Sequence, residues 1–381
     1  MKNKLKNLKT ISLVLVLSVI TGCISIAAPK TKIKPPKLTI KNVTVNKNVI
    51  TSNIKISKDV KSIVVKVDGK KIKTFKVKNK TKFKFSISPV LTARKHRLTV
   101  IAKNKKKSTT KYKTFMYTYR NPKLVYAKKA TTIPVLDGIS DDECWKQGDW
   151  YNIDQNWYPD SMAPDDADDF SGRYKYCWDE NYFYFLAEVT DDYFTDKETK
   201  QNFDNSYDDS NFPFVSLNGG YHNFDVLELF LDEDASGGDH TFDTNAFAFH
   251  MTTELHTFDV TYNWAVISYD RICQFKWTKS GENTYTWEGA IKVFDDRFDA
   301  ALQNIRKPVK LYEGKILGVS LAYCDNDWKK DSLSSPERDH FMASNSFAKK
   351  YCDYTVSPES TEYKNVAYKN ASVFGKVILE K

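Results

Sequence analysis

Acids are nearly absent from the first third of the chain. Residues 1–124 contain only Asp59 and Asp68 of the 48 Asp+Glu, against 33 of the 58 Lys+Arg. The remaining 25 basic and 46 acidic residues follow, so the net charge runs from +31 to −21 and the overall +10 averages two unlike halves. Cysteine is also scarce, and none of the six lies in a CxxC pair, which removes a zinc knuckle or a thioredoxin-type motif. Setting Cys23 aside, Cys144, Cys177, Cys273, Cys324 and Cys352 are an odd number, so at least one thiol stays free; small buried hydrophobes are their ordinary role. Long helical periodicity is rare. No GxSxG, HExxH, Walker or GxGxxG motif occurs, which leaves the corresponding hydrolase, metalloprotease, nucleotide and dinucleotide chemistries without a foothold. What the chain has in quantity is aromatics (Tyr 22, Phe 23, Trp 8) in short alternating runs, a composition of β-sandwiches with rings left over for ligand contact.

One apolar run stands out. MKNKLKNLK is a positive leader, and ISLVLVLSVI after it is too short to span a bilayer. It ends in Ile20-Thr21-Gly22-Cys23, which resembles the lipobox of bacterial lipoproteins. The resemblance implies a signal peptide over residues 1–23, cleavage before Cys23, and diacylglycerol on its thiol. The expected location is the extracellular face of the bacterial cell membrane, lipid-anchored. Two acyl chains hold a protein stably where one does not.

Residues 24–36, beginning APKTKIKPPK, read as a Lys/Pro-rich tether. Between 37 and 121 come seven short strands, KLTIKNVTV, NVITSNIKI, SIVVKV, KIKTFKV, KFKFSISPV, HRLTVIAKN and KYKTFMYTY. Asp68-Gly69 closes a tight hairpin of the primed type. Seven strands in this span predict an Ig-like β-sandwich, and HRLTVIAKN is similar to strands of bacterial Ig-like domains. Lysine on the solvent face of a strand is ordinary; the near absence of acid is not. Such a field is expected to lie against an anionic membrane or cell-wall polymer. An exported lipoprotein is not expected to meet nucleic acid.

From residue 125 to 381 the chain predicts a second, larger, acidic sandwich. Six segments carry a resemblance: Leu136-Asp137-Gly138 followed by Trp145; Cys177-Trp178-Asp179-Glu180-Asn181 with the strand ending at Asp191; FDVLELFLDED at 224–234; Tyr285-Thr286-Trp287-Glu288-Gly289-Ala290-Ile291; Gly318 to Asp327; and Phe374-Gly375-Lys376-Val377-Ile378-Leu379. In this order they resemble the family 9 carbohydrate-binding modules, a sandwich also described as DOMON-like. The fold class expected for the whole is therefore all-β, an Ig-like sandwich followed by a larger antiparallel one. The resemblance implies sugar binding, and calcium in some members.

FDVLELFLDED poses its own problem. Leu227, Leu229 and Leu231 share one face of the strand, and Glu228 sits mid-strand between Val226 and Phe230 on the other. A buried carboxylate requires a partner. In the family, the acid at this place faces the sugar cleft, so the resemblance gives Glu228 the role of hydroxyl acceptor; a cross-sheet salt bridge is the structural alternative. The family grips its sugar between two tryptophans, and the matching positions here are His222, beside Tyr221, and Tyr368. Tyr221 and Tyr368 offer flat apolar faces in their place. Asn245-Ala246-Phe247-Ala248-Phe249-His250 lacks the usual amide and guanidinium. Trp145 and Trp178 read as packing residues, whereas Trp157, Trp264 and Trp328 fall in irregular polar stretches and are candidate platforms.

Acids cluster at 165–169, at Asp208-Asp209, at Asp232, Glu233 and Asp234 with Asp239, and at Asp325 with Asp327. Hard carboxylate oxygens suit calcium, and Asp232, Asp234 and Asp239 in DEDASGGD are the expected ligands; a solvated acidic loop is the alternative. A glycosidase needs two opposed carboxylates in a cleft. No hydrolase domain is recognisable and two sandwiches use up the length, so a non-catalytic protein supporting polysaccharide capture and breakdown is expected. The rivals are an accessory part of an O-glycosyl hydrolase system, an architectural adhesin, and a haem-binding DOMON-like domain using Met162, Met251, His222 or His250.

Overall fold

The structure is a computed structural model that describes residues 34–47, 49–91, 94–118, 124–158, 162–195, 224–238, 245–260, 266–303, 305–327, 338–346 and 366–381. Cys23, Tyr221, His222, Asp239, Trp264, Trp328 and Cys352 lie outside the described residues.

The basic half carries seven strands: β1 Leu38–Asn46, β2 Val49–Ile56, β3 Ser62–Val67, β4 Lys70–Lys76, β5 Lys82–Ile87, β6 Lys95–Lys103 and β7 Ser108–Met116. They form two sheets, β1-β2-β5 and β4-β3-β6-β7. Alternation decides the packing. Ile50, Ile54, Ile63, Val65, Leu98 and Val100 meet between the sheets, and the lysines between them stay in water. Asp68 (φ 47°) and Gly69 (φ 89°) both take the left-handed region that a primed turn requires.

The acidic half holds β8 Val125–Lys129, β9 Tyr151–Ile153, β10 Gln155–Asn156, β11 Phe170–Trp178, β12 Phe183–Asp191, β13 Val226–Asp232 and β14 Ala246–Thr252. It continues with β15 Thr257–Val260, β16 Val266–Ser268, β17 Cys273–Lys279, β18 Thr284–Ile291, β19 Ile316–Asp325, β20 His340–Ala343 and β21 Gly375–Glu380. The ladder runs β16-β15-β14-β13-β19-β21-β8-β11-β12-β18-β17. It is antiparallel except at β8, which pairs in parallel with both β21 and β11 and so joins the two faces. Those faces close on a core to which Leu227, Leu229, Leu231, Leu321 and Tyr323 come from one side and Phe183, Phe185, Val189 and Trp287 from the other. Each fully buried Leu or Phe contributes about 1.5–3 kcal/mol. A second apolar layer covers the outer face of β13 and β19, with Val226, Phe230, Ala322, Trp157, Phe341 and Phe374 in it. β13 is therefore buried on both faces.

Glu288 explains the opening segment of this half. It points outward from β18 and accepts from Trp145 Nε1 at 2.6 Å and from the backbone N–H groups of Asp137 and Gly138 at 3.2 and 3.3 Å. Gly138 has φ +79°, and a Cβ there would lie 2.9 Å from the Trp277 carbonyl carbon, so only glycine fits. Trp145 and Trp178 are buried, as their packing role requires. Burial pushes the Glu288 carboxyl up to about 7 in spite of those donors. The folded state then holds this proton more tightly than the unfolded chain, so its contribution to stability falls as pH rises from about 4.5 to 7. Glu288→Ala leaves three donors without an acceptor; a loss of roughly 3 kcal/mol and a flatter pH dependence are expected in urea unfolding. An unchanged midpoint and slope would show that other acceptors replace it.

Candidate functional site

Two polar clusters are built into the acidic sandwich, and the first surrounds Glu228. Its phase on β13 turns it outward, among the apolar side chains of the second layer, where it is buried. Register sets its neighbours: His250 on β14 and Ala322 on β19 lie directly across. Glu228 Oε1 accepts from Cys324 Sγ at 3.3 Å and lies 3.7 Å from His250 Nε2. Both contacts fall on Oε1. His250 Nδ1 is 3.0 Å from the Phe258 carbonyl, which can only accept, so this nitrogen carries hydrogen. Burial pushes the Glu228 carboxyl up to about 7, against the opposing pull of Arg338 and Cys324.

Arg338 is the member of this group that sequence reasoning missed. It precedes β20 and is buried, with Nη1 2.8 Å from Cys324 Sγ and Nε donating to the Tyr158 hydroxyl. Its guanidinium lies over the rings of Phe341 (4.0 Å) and Tyr158 (4.7 Å). A guanidinium thus stands beside Glu228 after all, supplied from outside β14. Tyr368 is 39 % exposed, and Val366, Ala367 and Ala371 around it belong to the outer apolar layer. The Lys369 ammonium sits 5.2 Å from its ring centroid. Trp157 is no surface platform: it is fully buried, donates to the Asn345 carbonyl at 2.8 Å and packs on Phe230 and Phe341.

The second cluster closes one end of the sandwich. Asp191 continues the inward phase of Val189 on β12, Asp325 that of Leu321 and Tyr323 on β19, and Asp225 that of Leu227 just before β13. Three core-facing positions at strand ends are therefore carboxylates, all with 0 % exposure, and their oxygens come within 4.8 Å of one another. Asp191 accepts from Tyr323 OH (2.9 Å) and Tyr193 N (3.0 Å), and Asp225 from Asn326 N (3.0 Å) and Thr195 N. Among the described residues, neither oxygen of Asp325 has a hydrogen-bond partner. Burial, then the facing Asp191 and Asp225, push its carboxyl well above the usual range; Asp191 rises to about 6 for the same leading cause. Two further triples, Asp191-Asp192-Asp327 and Asp169-Asp327-His340, extend the cluster outward. Unpaired buried charge is costly, and a hard dication fits an all-oxygen triple whose members cannot all ionise without one.

The loop expected to hold calcium is otherwise engaged. Asp232 gives its two oxygens to Asp234 N (3.2 Å) and Gly237 N (2.7 Å), and Asp234 Oδ1 accepts from Ser236 N (3.0 Å) and Asn245 Nδ2 (3.2 Å). All but the Asn245 contact are turns closed on the loop's own backbone. Among the described residues, the groups able to hold a cation lie at the strand ends. The candidate haem ligands also separate: Met251 faces the core while adjacent His250 faces outward, and Met162 lends its carbonyl to His340. Cys144, Cys177, Cys273 and Cys324 are buried and free.

A family model described as carbohydrate family 9 binding domain-like matches residues 136–381. Among solved structures, a family 9 module from Caldicellulosiruptor kristjanssonii in complex with cellotriose is 18% identical, with a TM-score of 0.40, over 68% of this chain and 94% of that one. A family 9 module of the same organism in complex with glucose gives 18% identity and 0.40 over 67% and 95%. A Bacteroides uniformis protein gives 12% and 0.40 over 68% and 99%. No curated protein matches the chain.

Proposed function

The chain belongs to the carbohydrate family 9 binding domain-like family through residues 136–381, and from that premise we propose that it captures poly- or oligosaccharide without cleaving it. One observation carries the reading. Glu228, placed where the resemblance puts the sugar-facing acid, is buried with Arg338 and His250 within the outer apolar layer, at whose margin Tyr368 is exposed. An acceptor, donors and aromatic faces on one side of a sheet are what a sugar requires, since its hydroxyls need both kinds of partner and its ring needs a flat apolar surface. The structural alternative for Glu228 keeps its force through Cys324 and His250. A glycan array on the full chain, with and without chelator, tests the proposal. Binding to no glycan under either condition would favour the adhesin reading, which a pull-down then examines.

Calcium belongs to the same proposal, seated at Asp191, Asp225 and Asp325 rather than at Asp232. The orphaned oxygens of Asp325 support it. Lipidation at Cys23 would set the protein on the outer surface of the membrane, with the seven-stranded basic sandwich as an Ig-like spacer against anionic lipid or wall polymer. There it would present sugar to hydrolases made by the same cell. Cys23→Ser is expected to move the protein from the membrane fraction into the medium, or to leave it unprocessed. Unaltered retention with unaltered cleavage would end the lipid proposal.

A further inference from the structure

We propose that Asp169, Asp327 and His340 form a second cation site, of different chemistry, that takes a first-row transition dication of the zinc class. Their ligand atoms lie within 4.8 Å of one another. His340 opens β20 opposite Asp325 on β19, and it shares the inward phase of Met342. The site is therefore continuous with the buried triple whose Asp325 has two unpartnered oxygens at 0 % exposure.

The orientation of His340 is the informative detail. Its Nδ1 is 3.0 Å from the Met162 carbonyl, which accepts only, so Nδ1 carries the hydrogen. In the neutral ring Nε2 then turns a lone pair toward Asp169 Oδ2, 3.3 Å away. Lone pair against carboxylate is repulsive; a dication between them makes both favourable. Holding the far ring nitrogen on a backbone carbonyl is how metal-binding histidines are fixed. The Asp169 carboxylate is held likewise, its Oδ2 accepting from Asp165 N at 2.5 Å, and the backbone of Asp327 is fixed by donating to Asp339 Oδ2 at 3.0 Å. Asp327 Oδ1 is buried without a hydrogen-bond partner. Imidazole with two carboxylates suits zinc and its neighbours, whereas calcium takes oxygen alone. Asp191, Asp192 and Asp327 also bring ligand atoms within 4.8 Å of one another, so the two candidate sites adjoin.

The rival arrangement is a doubly protonated His340 paired with Asp169 and no metal. The inference is independent of sugar binding, and its test is run so that the two can fail separately. The full chain, stripped of metal and then saturated with calcium, is titrated with zinc chloride against a chromophoric chelator, and in parallel with cobalt chloride read by visible absorption. One equivalent of zinc is expected beyond calcium, with a cobalt spectrum showing nitrogen ligation. His340→Ala and Asp327→Asn are each expected to weaken zinc at least tenfold and to abolish the cobalt band. The calcium-dependent melting shift should persist in His340→Ala, which also reports that the variant folds. No zinc beyond calcium, or zinc binding unchanged in both variants, overturns the proposal. Glycan titration of the same samples tells whether the sugar site stands or falls apart from it.

Discussion

Removing divalent cations should lower the melting temperature of this protein by roughly 5–10 °C, and one substitution should reverse the response. A ligand that binds only the native state at a hundred times its dissociation constant adds about 2.7 kcal/mol. For a domain of this size each kcal/mol moves the midpoint by roughly 2–4 °C. The site for that energy is the end of the sandwich, where β12 from one face and β13 and β19 from the other bring Asp191, Asp225 and Asp325 together in the core. Without an ion, burial and the facing Asp191 and Asp225 disfavour the charged form of Asp325. With one, the faces are cross-linked. Asp325→Asn separates the cases because its wild-type oxygens have no other partner to lose. In chelator the variant should melt above the wild type, since a buried unpaired charge is gone. In millimolar calcium it should melt below the wild type, having lost a ligand. A wild-type midpoint indifferent to both EDTA and calcium would mean that protons, not a cation, keep these carboxyls neutral.

The triple of buried carboxylates shows where sequence reading stopped and why. All seven strands of the basic half were legible, because each alternates over its own length and turn residues separate them; Asp68-Gly69 takes the conformation its sequence demands. The six segments of the acidic half also fall on the elements they describe, from Trp145 under Glu288 to the closing β21. Such information is local. Asp191, Asp225 and Asp325 each read as an acid at a strand end, and only the ladder order carries them to the same end of the fold. A signal was nevertheless present: each stays in phase with the apolar residues before or after it, and an acid in a core-facing position is an unpaid charge until something pairs it. DEDASGGD is ambiguous for the opposite reason. Its glycines and acids suggest a cage, but Asp and Asn beside glycine also make turns that consume their own oxygens. Arg338 was out of reach altogether. It meets Glu228 across 110 positions through the pairing of β19 with β20, and no short-range pattern announces that.

Sugar affinity should fall ten- to hundredfold in Glu228→Gln while the domain stays folded. The contacts of the carboxylate with Cys324 and His250 both fall on Oε1, and we assign the sugar hydroxyl to Oε2. A hydrogen bond to a charged acceptor contributes about 1.5–3 kcal/mol, which corresponds to that range of affinity. Glutamine keeps shape and one acceptor but gives up charge. Because burial pushes the Glu228 carboxyl up to about 7, the charged acceptor forms only as pH rises through that value, so wild-type affinity should increase from pH 6 to 8. His250, Cys324 and Arg338 face the same carboxylate, and Glu228→Gln isolates its share: the variant should have a flat profile. Tyr368→Ala, at an exposed ring, should weaken binding comparably with little effect on melting, as loss of one aromatic anchor does. Arg338→Met behaves differently under the two readings of this cluster. If Glu228 serves only to hold the fold, removing the guanidinium costs stability and leaves affinity in the folded fraction intact. If the cluster serves sugar, both fall together. Calorimetric titration of the three variants with the strongest array glycan, beside their melting curves, decides between them. Full affinity in Glu228→Gln and Tyr368→Ala alike would move the binding site to another face of the sandwich.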